Sequence, residues 1–129
     1  MSNLFLRSSA VIALTAAADY SAGRGKAVTI SSDTATLSAS ATTVAPGIIL
    51  EGAASGGTVQ VAILGAIGGT VPAKLSGSVT KGARMQQAAD GTWVTDAATG
   101  SRVISLIALE TGVSGDIIEA ATITPVTLS

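Results

Sequence analysis

TVQVAIL, residues 58–64, is the stretch on which the reading of this chain turns. Val59, Val61 and Ile63 alternate with Thr58, Gln60 and Ala62. A period of two places the large apolar side chains on one face of an extended strand, whereas a helix would scatter them around its circumference. Short apolar lengths recur on both sides. Residues 48–51 (IILE) precede it as a candidate strand. Residues 102–109 (RVISLIAL) follow it and are apolar on both faces, which marks a central strand. Residues 27–31 (AVTIS) and 34–38 (TATLS) read as a hairpin with Ser32-Asp33 at its turn. Asp90-Gly91, between Met85-Gln86-Gln87 and Trp93-Val94, signals a second hairpin. Residues 116–120 (DIIEA) and 121–128 close the pattern, and Pro125 confines the last strand to an edge or an end.

Turn residues punctuate these lengths. Pro46-Gly47, Gly68-Gly69, Lys81-Gly82 and the Gly112 to Gly115 stretch all interrupt pairing, and Pro72 predicts a further break. The one run of helix formers, residues 83–89 (ARMQQAA), spans barely two turns, too short for an isolated helix to hold. The expected class is therefore all-β: a small β-barrel or β-sandwich-like domain of about seven or eight short strands, with an extended N-terminal arm. The expected division is an arm and possible hairpin over residues 1–45 and a β-rich domain over residues 46–129. Within the arm, Leu4, Phe5 and Leu6 form an apolar tip and Val11, Ile12 and Leu14 a second patch, too few to fold alone.

Composition narrows the chemistry. The chain has no histidine and no cysteine, and 70 of its 129 residues are Ala, Gly, Ser or Thr. General acid–base catalysis most often uses His, and imidazole or thiolate ligands hold most zinc sites. Only 12% of residues are charged and the mean hydropathy is +0.59. A surface this short of charge suits a chain that buries much of itself against copies or a partner. The 7 Lys and Arg are scattered, so no patch is built to follow phosphates, and direct nucleic-acid binding is not expected. Arg7 followed by residues 10–18 (AVIALTAAA) mimics a leader, but Leu4-Phe5-Leu6 precede that charge, and the apolar run is far short of the roughly 20 residues that span a bilayer. Neither a cleaved leader nor a membrane segment is expected.

The remaining motifs each have a plain reading. The glycine-rich residues 52–69 lack the Lys-Ser/Thr of a phosphate loop and read as turn, strand, turn. Asp90 with Asp96, and Asp116 with Glu119, do not follow calcium-loop spacing. Without His, a serine nucleophile would need a lysine base, and Lys74 near Ser76 and Ser78, or Lys81 near Ser78, are the only local pairs. No catalytic, cofactor-binding or metal-ligating residue is assigned, and no cofactor is expected. Trp93, the one large aromatic beyond the arm, is either a core residue opposite Met85 or an anchor at a subunit contact.

The order over residues 58–128 is more specific. The strand Val59 to Leu64 leads to Ser78-Val79-Thr80-Lys81-Gly82-Ala83-Arg84-Met85, then Asp90-Gly91-Thr92-Trp93-Val94 and Ala97-Ala98-Thr99-Gly100. Residues 102–110 (RVISLIALE), Gly115-Asp116 and a β-rich tail complete it. This order resembles the small tailed-phage proteins that decorate or cement the capsid. The resemblance implies a non-enzymatic β protein on the outer surface of the virion, trimeric over three-fold or quasi-three-fold positions of the expanded shell. Its implied partners are the major capsid protein and its own copies, as a homotrimer, with no membrane and no nucleic acid. Leu4, Phe5, Leu6, Arg7 and Trp93 are the candidate capsid or subunit contacts. The other readings are another phage structural subunit (tail tube, fibre or capsid-associated), a secreted β domain, and an enzyme built on a Ser–Lys pair.

Overall fold

The computed structural model describes residues 10–38 and 40–129, and these form ten β-strands and no α-helix. The first five are β1 (Val11–Ala16), β2 (Ala27–Ser31), β3 (Thr34–Leu37), β4 (Gly47–Glu51) and β5 (Thr58–Ile63). They close into a barrel in the order β1-β3-β2-β4-β5. The next five are β6 (Thr70–Lys74), β7 (Arg84–Gln87), β8 (Trp93–Thr95), β9 (Arg102–Ala108) and β10 (Ile117–Leu128). They form an antiparallel sheet in the order β6-β10-β9-β7-β8. The all-β class expected from the sequence is the class observed.

Two cores follow from the alternation of side chains along the barrel strands. Leu14, Tyr20, Val28, Ile49, Val59 and Val61 pack together with Ala16 and Ala35 inside the barrel. The alternate residues Ala27, Ile48, Ala62 and Leu64 pack outward, against Val71, Leu75, Met85, Trp93, Leu106 and Ile118 of the sheet. The two-faced β4 thus divides Ile49 from Ile48, one to each core. The same geometry explains residues 58–64, read as half-buried. Val59 and Val61 do line one core, but Ala62 on the other face is also fully buried, because the second sheet covers it.

Several local expectations meet the structure in a changed form. Residues 11–16, read as part of the arm, make β1, which pairs antiparallel with β5 and parallel with β3 at Thr15 and Ala16. Pro72 does not break pairing. It sits in β6 opposite Glu119. Lys74, two residues on, sends its amide away from β10 to the Gly25 carbonyl at 2.9 Å. By the two-residue period Pro72 faces the same way, where its missing N–H costs no ladder bond. Residues 84–87 of the helix-forming run are β7, paired with β8 from Met85↔Thr95 to Gln87↔Trp93. Their hairpin turns through a single 3-10 turn at Ala89–Gly91, with Asp90 and Gly91 at positive φ. The strand read as central, β9, is the third of five. Residues 116–120 and 121–128 join into one strand, β10, and Pro125 falls in a register irregularity between Thr122 and Val126.

Gly25 ties the two halves together. Its N–H donates to the Ile49 carbonyl of the barrel at 2.8 Å, and its carbonyl accepts from the Lys74 amide and, at 3.1 Å, from the Trp93 indole N–H. Its φ is +85°, and an added Cβ would lie 2.7 Å from the Lys74 nitrogen, so only glycine fits. A bridge between Leu75 and Trp93 joins the end of β6 to β8, bringing the two edges of the second sheet together.

Candidate functional site

Trp93 is the candidate contact residue that the structure describes. It has no exposed surface and lies in the core between barrel and sheet. Its β-pair is Gln87 rather than Met85, which sits diagonally on the same face. Gln87 is buried too. Its amide oxygen accepts from the Ser38 hydroxyl, and its Nε2 donates to the Thr43 carbonyl at 3.1 Å. The other candidates, Leu4, Phe5, Leu6 and Arg7, lie outside the described residues.

Beside the Gly25 junction, residues of β4, β6 and β10 line an open cleft of about 640 Å³. That volume is in the ~300–1,000 Å³ range of ordinary binding clefts. Leu50 from the barrel and Val71, Pro72 and Ile117 from the sheet supply apolar walls, and Arg24 stands at one side. Ile117 is 46% exposed, a large aliphatic side chain left in water. Two carboxylates, Glu110 and Glu119, line it as well. The Thr70 hydroxyl donates to Glu119 Oε2 at 2.7 Å, and the Glu119 backbone N–H donates to Glu110 Oε1 at 2.8 Å. Both acids are held in place, yet neither has a cation partner among the described residues.

The sequence reading paired Glu119 with Asp116. The structure separates their roles: Asp116 accepts from the Val113 amide within its own turn, at 2.9 Å. Glu119 meets Glu110 instead, because the β9–β10 hairpin sets Ala120 opposite Ala108 and folds the ends of the two strands together. The signal for this was present in the Glu that ends residues 102–110 and in the Gly112 and Gly115 turn that follows, which together imply a hairpin.

The remaining charges serve local structure. Asp96 accepts from Arg102 Nε, from Arg84 Nη2 at 2.8 Å and from the Ala98 N–H at 3.0 Å. The Arg102 hydrogen bond, aided by the Ala98 amide, holds the Asp96 carboxyl below the usual carboxylate range. Asp90 makes no ion pair among the described residues. The Lys74 ammonium donates to the Gly115 carbonyl at 2.9 Å, and no Ser–Lys hydrogen bond occurs among the described residues. Among those residues, no group of three or more His, Cys, Asp or Glu converges to hold a metal ion. The arrangement offers one recognition surface above the others, a cleft with apolar walls and two carboxylates.

No protein-family model matches the sequence, and no curated protein matches it. Among solved structures, the chain is similar to the N base of head fiber gp8.5 of bacteriophage phi29, with a TM-score of 0.65 and 16% sequence identity. The likeness covers 88% of this chain and 92% of that one, so it takes in both the barrel and the second sheet, and at this identity it is a likeness of fold.

Proposed function

We propose that this chain is a structural subunit of a phage virion that sits on the outer surface of the head and stabilises the expanded shell. The observation that carries the reading is the fold shared with a phage head fiber base over nearly the whole of both chains. The resemblance of residues 58–128 to capsid decoration proteins points the same way, as does a chain without histidine or cysteine. A shell filled with DNA pushes its subunits apart. A subunit bridging capsomers adds contact area across the seams, and a trimer makes several weak contacts at once, which multiplies their effect. The apolar tip Leu4, Phe5 and Leu6 with Arg7 is the part of the sequence suited to reach a neighbouring protein, by main-chain pairing along a strand edge. This role requires no cofactor, no nucleic acid and no membrane.

The test is co-sedimentation of the purified chain with expanded, undecorated capsids and with unexpanded procapsids. Saturable binding to the expanded shells alone is the expected result. Binding to neither would remove the proposal. A second reading, the base of a head fibre, is favoured by what the similar structure is. Electron microscopy of decorated shells separates the two: compact knobs across capsomer seams support decoration, and sparse attachment points for a projecting fibre support the base.

A further inference from the structure

The cleft beside Gly25 is an apolar groove with fixed acids and no occupant within the described residues. We infer that it receives residues 4–7 of a second copy of this chain. The chemistry of the two is complementary. Leu4, Phe5 and Leu6 are a run of large apolar side chains followed at once by a cation, Arg7. The cleft offers Leu50, Val71 and the half-exposed Ile117, and beside them Glu110 and Glu119, which outnumber the one cation of its described lining, Arg24, and make no ion pair with it or with any other described residue. Burying the apolar run removes hydrocarbon from water on both sides, and Arg7 placed against the paired acids makes a charge-assisted contact with specific orientation.

Strand direction identifies the donor as another copy. The Ile63 amide donates to the Ala10 carbonyl at 2.8 Å, and Val11 pairs with Ala62, so the chain before β1 leaves from the Ile63 end of β5. Leu50 lies between Ile49, paired with Val61, and Glu51, paired with Gln60. That places the Leu50 wall of the cleft in the opposite direction along the barrel. To reach its own cleft the segment would have to reverse its course within the three residues between Arg7 and Val11, whereas the cleft of another copy can lie ahead of it. A contact in which each arm enters the next copy's cleft is head-to-tail, and it closes into a ring when the rotation between copies allows. The inference rests on the reading of the chain as an assembling subunit and assigns the arm's partner.

The experiment is sedimentation equilibrium of the full chain, of a chain lacking residues 1–9, and of charge variants. The full chain is expected to form a closed oligomer and the truncated one to be monomeric. Arg7→Glu should weaken association at least tenfold. Glu110→Gln with Glu119→Gln, which keeps the local hydrogen bonding, should weaken it similarly. Joining Arg7→Glu to Glu110→Lys and Glu119→Lys should restore it. Trp93 emission reports that each variant is folded. A monomeric full chain, an oligomer that survives truncation, or failure of the charge swap to restore association overturns the inference. So does a Leu4→Cys, Ile117→Cys chain that crosslinks only within itself when differently tagged copies are mixed. Shell binding is read separately. A chain that binds shells as a monomer removes this inference alone, and one that self-associates through its arm without binding shells removes the functional reading alone.

Discussion

Ser105 carries an irregularity that runs through the second sheet. It is the extra residue of β9 against β7, where Leu106 pairs with Met85 and Ile104 with Gln86. It is also the single residue facing Ile123, Thr124 and Pro125 of β10, since Leu106 pairs with Thr122 and Ile104 with Val126. Its side chain is fully buried and its hydroxyl has no hydrogen-bond partner among the described residues. A buried hydroxyl without a partner costs about 1–3 kcal/mol relative to one that is satisfied. Ser105→Ala keeps the volume nearly constant and removes that cost, so the variant is expected to unfold at a higher urea concentration, by the equivalent of about 1 kcal/mol. A lower midpoint would mean that the hydroxyl is bonded to a buried water. Gly25 makes the opposite point at the same scale. There the absence of a side chain lets one carbonyl serve both Lys74 and Trp93, and the constraint lies in the backbone.

At the scale of elements, β1 decides what the N-terminal segment is. Leu14 and Tyr20 are buried in the barrel core, and β1 joins β5 to β3 and so closes the barrel. Full burial of one such side chain contributes roughly 1.5–3 kcal/mol, against total stabilities of about 5–15 kcal/mol. Removal of residues 1–9 is therefore expected to leave a folded protein, and removal of residues 1–20 to leave none, as read by near-ultraviolet circular dichroism and amide dispersion. A folded chain lacking residues 1–20 would exclude β1 as the closing strand. The sequence displayed this strand poorly. AVIALTAAA is small and apolar without clean alternation, and its partners β5 and β3 are distant in sequence, so nothing local announces the pairing. β9 and the β7–β8 hairpin were legible because a two-faced apolar run and an Asp-Gly turn are local signals. β6 was hidden by Pro72, whose penalty vanishes at an outward-facing edge position. The cleft was hidden for a different reason. Its walls come from β4, β6 and β10, and no short window of sequence contains all three.

For the molecule as a whole, the question is whether barrel and sheet are one cooperative unit. The chain order suggests two, since β1 to β5 build the barrel and β6 to β10 the sheet. The packing argues for one. Among the described residues, the outward side chains of β2, β4 and β5 pack against the sheet, and the sheet's inner face, Trp93 included, packs against the barrel. Gly25 adds hydrogen bonds from a single residue into both halves. Either half alone would expose Ile48 or Trp93, each fully buried in the intact chain, together with unpaired backbone at the junction. The chain holds one tyrosine and one tryptophan, and each sits in a different core: Tyr20 within the barrel and Trp93 between barrel and sheet. They are natural independent probes. Tyrosine absorbance and tryptophan emission are expected to change at the same denaturant midpoint, together with far-ultraviolet circular dichroism, as two-state unfolding requires. Separate midpoints, with Tyr20 reporting a barrel that outlasts the Trp93 core, would show that the halves fold independently. The cooperative case would serve the proposed role, because a load applied to the barrel is then resisted by the stability of the whole chain rather than by that of half of it.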